Sequence, residues 1–207
     1  MKKEAALKII CDCAQTYHKV LEGRNLLFVC AGPNGQISTL EIVFTGSNFF
    51  HMTGAKFRTV PRLSASEFYS RCLHHRLRPG DFDLDPLGYT ELKLAVLPSL
   101  LKPNLGANMV GDYNGSHPLL VTDKLAGNVK CCLGLVTDPQ KQPFYAPNSV
   151  LNLNIKDVTH DTRRILATYR KTIAEAQYSE LIYKAKKVRW EAVQLPEAFA
   201  YLELPQE

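Results

Sequence analysis

The stretch Ser47-Asn-Phe-Phe-His-Met-Thr-Gly54 decides how this chain is read. It follows an apolar run from Ile37 to Thr45 and is taken as the end of that strand. Side chains alternate along an extended chain, so Phe49, His51 and Thr53 point one way and Phe50 and Met52 the other. Phe50 and Met52 then face a core, while His51 and Thr53 face a cleft. Gly54 permits a positive φ and a sharp turn just beyond them. A titratable group on a rigid strand end suits chemistry. The competing reading is a core histidine satisfied by one hydrogen bond.

Upstream, residues 2–22 predict an amphipathic helix, with Ala6, Ile10, Cys13, Ala14 and Tyr17 at helical spacing and Gly23 closing it. Leu26–Cys30 and Ile37–Thr45 flank Gly32-Pro-Asn-Gly35 and predict an antiparallel hairpin. Downstream, Ser64-Ala-Ser-Glu67 has capping-box spacing and predicts a helix to about Leu77. Thr90 is read as the cap of a second helix from Glu91 to about Leu101, bent or shortened by Pro98. Asn114-Gly115 predicts a hairpin between 108–113 and 119–123. Val129–Thr137 and Gln142–Ala146 predict further strands, broken at Pro147-Asn148-Ser149. Spacing predicts a helix from Asp161 through Ile165, Tyr169 and Ile173, then a last strand over 180–188. Helices first and an antiparallel meander second indicate an α+β fold. One domain over residues 1–190 and an irregular tail over 191–207 are expected.

At 207 residues, 45% apolar and 22% charged, the chain has the composition of a globular protein with a full core. The net charge of +5 permits an anionic partner without demanding one. No apolar window is long enough to span a bilayer, and no signal peptide is read at the N-terminus, so no membrane partner is expected. Cys11, Cys13, Cys30, Cys72, Cys131 and Cys132 include no Cys-x-x-Cys pair. Reduced, buried thiols in a cytoplasmic protein are expected, without zinc.

The chain lacks a phosphate loop, a Rossmann fingerprint, a His-Glu-x-x-His pair and a Gly-x-Ser-x-Gly elbow. Its histidines and acids are not spaced as metal ligands, so no metal and no cofactor are expected. Histidine, tyrosine, lysine and arginine remain. That set suits cleavage of RNA by its own 2′-hydroxyl, which needs a base, an acid and cations around the phosphorane. Residues 162–190 hold eight basic side chains against Glu175 and Glu180, which suits a phosphate backbone or a solvated face.

The stretch Asn48-Phe-Phe-His-Met-Thr-Gly54 resembles the His-Leu-Thr-Gly signature of the barnase–EndoU–colicin–RelE-like nucleases of phages and prophages. Ser64–Tyr69, Thr90-Glu-Leu-Lys93, Met109–Asn114, Thr122–Asn128 and Tyr145-Ala-Pro-Asn148 extend the likeness, in order, to the fourth phage group over residues 4–188. The resemblance implies N-terminal helices followed by a four- or five-stranded antiparallel sheet with a cleft on one face. It also implies metal-independent RNA cleavage to a 2′,3′-cyclic phosphate, in a toxin or phage effector. RNA is then the expected partner, and an immunity or phage protein a further one. By match to the motif blocks, His51 is expected as base or acid, Thr53 as its orienter, Tyr113 as positioning group or proton donor and Lys124 as phosphorane stabiliser. Lys93, Asn128, Arg163 and Arg170 are expected to bind substrate. Two other readings stay open: a non-catalytic RNA- or protein-binding module, and nucleotide transfer such as ADP-ribosylation.

Overall fold

The computed structural model describes residues 1–58, 63–116, 118–137 and 143–206. Helix α1 (Lys3–Val20) turns its Ala6, Ile10, Cys13, Ala14 and Tyr17 stripe to the core and ends before Gly23, whose φ is +70°. Strands β1 (Arg24–Ala31) and β2 (Ile37–Phe44) form the expected antiparallel hairpin. Then the reading of the opening stretch fails: Gly46–Thr53 is a helix, α2. The Thr45 amide donates to Asn48 Oδ1 at 2.9 Å, which starts the first turn. Gly54, at φ +70°, closes the last. Phe49, Phe50, Met52 and Thr53 are all buried, a broad face that alternation along a strand cannot produce.

Two-residue strands β3 (Lys56–Phe57) and β4 (Phe82–Asp83) pair with each other. They flank α3 (Ala65–Leu73), which opens on the expected Ser64–Glu67 capping box. Helix α4 (Tyr89–Leu100) holds Pro98 and is preceded by Gly88 rather than capped by Thr90. Thr90 instead donates to the Gly54 carbonyl at 2.7 Å, tying α4 to the end of α2.

The sheet continues with β5 (Met109–Tyr113), β6 (Lys124–Gly127), β7 (Cys132–Thr137) and β8 (Tyr145–Leu151). After a single turn, α5 (Ile155–Val158), come β9 (Thr159–Thr172) and β10 (Glu180–Lys184). Strand β6 therefore lies beyond the expected 119–123, and Pro147-Asn148-Ser149 lies inside β8 at a register shift instead of breaking it. Of the expected 142–146 strand, residue 142 lies outside the described residues. The expected helix over 161–176 is strand β9. A spacing of four, as in Ile165–Tyr169–Ile173, fits both periods. The β-branched Thr159, Thr162, Ile165, Thr168 and Thr172 and pairing along both edges decide for the strand.

An open antiparallel sheet of four or five strands is also overturned. The order β1-β2-β8-β7-β6-β5-β9 returns to β1, closing a seven-stranded barrel with β10 added outside on β9. Six junctions are antiparallel. The seventh, β2 to β8, is parallel and rests on one bridge, Ile42 to Tyr145. The α+β expectation of helices followed by an open antiparallel sheet is therefore replaced by a closed mixed barrel packed with helices.

One core unites the helices with the inward side chains, among them Tyr17, Phe28, Phe44, Phe49, Phe68, Leu133 and Ile165. A second lies on the outer face of β1 and β9, where Tyr178, Trp190 and Leu202 cover Leu27, Val29, Ala167 and Tyr169. The tail carries two short 3₁₀ turns, Trp190–Ala192 and Glu197–Phe199. All six cysteines are free thiols and only Cys11 is not buried.

Gly127 marks the tightest backbone approach. A Cβ there meets the Cys131 carbonyl at 2.3 Å and Cys132 Cα at 2.6 Å, both backbone atoms that cannot swing away. Gly127→Ala is expected to destabilise the fold by about 3 kcal/mol, read as a lowered urea midpoint at unchanged slope.

Candidate functional site

Two polar clusters form. The first surrounds Lys93 on α4. Its aliphatic stem crosses Gly54, where a Cβ would sit 2.8 Å from Lys93 Cδ, so the glycine gives the lysine its path. The ammonium donates to Ser149 Oγ of β8 at 2.9 Å. Burial, aided by the nearby Lys56 ammonium and opposed by Asp85, pulls its pKa down to about 8. Lys56 pairs with Asp85 at 3.1 Å.

His51 lies within electrostatic reach of this cluster. It sits on the last turn of α2, three residues from Asn48, hence on the same helical face. Asn48 is buried and its Nδ2 donates to the Pro147 carbonyl of β8 at 3.5 Å, whereas His51 is exposed. Partial enclosure lowers the His51 pKa from 6.5, and the Lys93 ammonium adds to the effect. At neutral pH the imidazole is neutral and can accept a proton. Beside Ser149, Asn148 Oδ1 accepts from Thr122 Oγ1 at 3.0 Å, and its Nδ2 donates to the Val121 carbonyl.

A cleft of about 900 Å³ opens beside Lys93. Gly54, Lys56 and Asp85 line it with α4, and Pro118–Leu120 and Val150–Leu153 form the facing wall. Tyr113 holds that wall in place: its hydroxyl donates to the Ser116 and Pro118 carbonyls.

The second cluster sits at the polar end of the barrel interior. Lys124 on β6 pairs with Asp112 on β5, its register partner. Arg163 Nη1 donates to Ser38 Oγ at 3.3 Å. Ligand atoms of Asp112, His160 and Asp161 lie within 4.8 Å of one another, the one group with metal-ligand spacing among the described residues. The Lys124 ammonium already on Asp112 competes with any cation there. The void between these side chains is about 20 Å³, room for one water and not for a nucleotide.

The expected site residues therefore divide. His51 lies within electrostatic reach of Lys93, and Lys124 and Arg163 line a separate void. Thr53 is fully buried; it donates to the Phe50 carbonyl and accepts from the Ala55 amide, so it closes α2 and does not face the cleft. Asn128 donates to the Gly106 carbonyl and accepts from the Lys130 amide, holding a turn. Arg170 is engaged by both oxygens of Glu180. Sequence reasoning missed Ser149, which lies one residue past a recognised block, and Asp112, His160 and Asp161, which only strand pairing brings together.

The family model described as phage-Barnase-EndoU-ColicinE5/D-RelE like nuclease4 matches residues 9–187. No curated protein and no solved structure gives a significant match.

Lys93 binds fewer protons folded than unfolded between pH 8 and its ordinary 10.5. Stability contributed at this residue therefore rises with pH across that window. Lys93→Met is expected to stabilise the protein by about 1–2 kcal/mol at pH 7. Denaturation from pH 7 to 10.5 should show a rise in the wild type that the variant lacks.

Proposed function

Because the chain belongs to the fourth phage family of barnase–EndoU–colicin–RelE-like nucleases, we propose that it cleaves RNA at the His51–Lys93 cluster through the substrate's own 2′-hydroxyl. The observation that carries this reading is a half-buried lysine with a pKa of about 8 lining a cleft large enough for nucleotides, near enough to a neutral histidine for its charge to be felt there.

The roles follow from protonation. Neutral His51 takes the 2′-hydroxyl proton as O2′ attacks the adjacent phosphorus. The Lys93 ammonium neutralises the charge growing on the non-bridging oxygens. It then gives a proton to the departing 5′-oxygen as the P–O5′ bond breaks, leaving a 2′,3′-cyclic phosphate and a 5′-hydroxyl. An acid with a pKa near 8 is well matched to that transfer at neutral pH. Ser149 Oγ holds the ammonium in place beforehand. Asn148 and Thr122, bonded to each other, fix the neighbouring β8 backbone. Lys124 and Arg163 serve the barrel end in this reading, as an ion pair and a strand tie.

The test is incubation of purified protein with total RNA in EDTA beside His51→Ala. Wild type should give cyclic-phosphate ends, and the variant should be slower by about 100-fold or more. Equal rates would remove His51 from the site; no cleavage by either would favour a binding module.

The pH profile is a second test. The base must be deprotonated and the acid protonated, so kcat/KM should rise through a pKa below 6.5 and fall through one near 8. Lys93→Arg should move the alkaline limb upward and leave the acidic limb in place.

A further inference from the structure

The cleft beside Lys93 is oddly apolar for a phosphate site. Leu119 is 77% exposed, Leu92 50% and Tyr89 41%. Tyr89, Leu92 and Lys93 fall at i, i+3 and i+4, one stripe along α4. Leu119, Leu120 and Leu153 face them across the cleft, and the exposed Asn152 lies among these apolar walls. Tyr89 thus lines the same cleft as the ammonium proposed to hold the scissile phosphate, its backbone one helical turn, about 6 Å, along α4.

We propose that this groove is a nucleobase subsite for single-stranded RNA. The base next to the cleaved phosphate lies on Tyr89 between the leucines, and the Asn152 amide reads its edge. This rests on the RNA-cleaving reading of the same cleft. Three features select a nucleotide over a protein segment. Lys56, paired with Asp85, and Lys93 line the cleft, whereas the centres of protein interfaces are depleted in lysine. Cations alternating with an aromatic and apolar wall match a strand that alternates phosphates with π-faces. An amide offers a donor and an acceptor together, which suits the edge of an unpaired base.

The experiment uses the full chain carrying His51→Ala, so that the RNA survives, and labelled ten-nucleotide RNAs read by fluorescence anisotropy. Tyr89→Ala should weaken binding about ten-fold, and Tyr89→Phe should restore it. An RNA with one abasic nucleotide walked along the strand should lose the same affinity at one position on the parent protein. It should lose nothing further there on Tyr89→Ala. Asn152→Ala should flatten the preference among the four bases at that position. The same substitutions in a His51-containing chain, assayed for cleavage, separate the two ideas. Cleavage unaffected by Tyr89→Ala or Asn152→Ala overturns the subsite and leaves the nuclease reading standing. Tyr89-dependent binding without cleavage by the parent overturns the nuclease reading and supports the subsite. Unchanged RNA affinity together with reduced self-association, by light scattering, overturns the subsite in favour of protein docking.

Discussion

The fourteen residues of Thr159–Thr172 pair along both edges of their strand, and the rest of the barrel depends on that. Residues 164–172 hold β1 on one edge, while 159–164 hold β5 and 167–170 hold β10 on the other. A bulge against Val29 and Cys30 turns Ile165 into the interior core while Ala167 and Tyr169 pack on the outer face. One strand thus joins the first hairpin to the later meander and separates two cores. Without it β1 and β5 would be open edges.

The electrostatics of the Lys93 cluster follow from where that barrel meets its helices. Helix α4 carries the lysine and α2 the histidine, and both lie against β8. The lysine is held by a neutral hydroxyl in the enclosed space between them. A carboxylate in the place of Ser149 would raise the lysine pKa again. Lys93 therefore costs the fold stability while its proton leaves near pH 8, the tension that the proposed acid role entails.

Local signals were legible in the sequence wherever one interaction dominates. The Ser64 capping box, the Gly32–Gly35 turn and the α1 stripe needed no distant partner. His51 was legible as a residue of interest because of its neighbours Thr53 and Gly54, although its element was misread. Two adjacent buried phenylalanines and the Thr45–Asn48 bond mark a helix only once the side facing β8 is known. Strand β9 was misread because spacing by four cannot tell a helix from a strand. Ser149 and the Asp112–His160–Asp161 group were invisible because each is assembled by pairing across more than forty residues of sequence. The free thiols had no local signal to misread.

The β2–β8 junction, a single parallel bridge, has a consequence in simple parity. A closed ring can alternate up and down throughout only if its strands are even in number. With seven, one neighbouring pair must run the same way, and here the odd pair falls at Ile42 and Tyr145. Beyond that bridge the β8 backbone has no strand partner on this side among the described residues. The chain leaving β2 turns at once into α2, and Asn48 caps the Pro147 carbonyl in place of a strand. An odd count thus leaves a gap in the wall, the gap takes a helix, and the last turn of that helix carries His51.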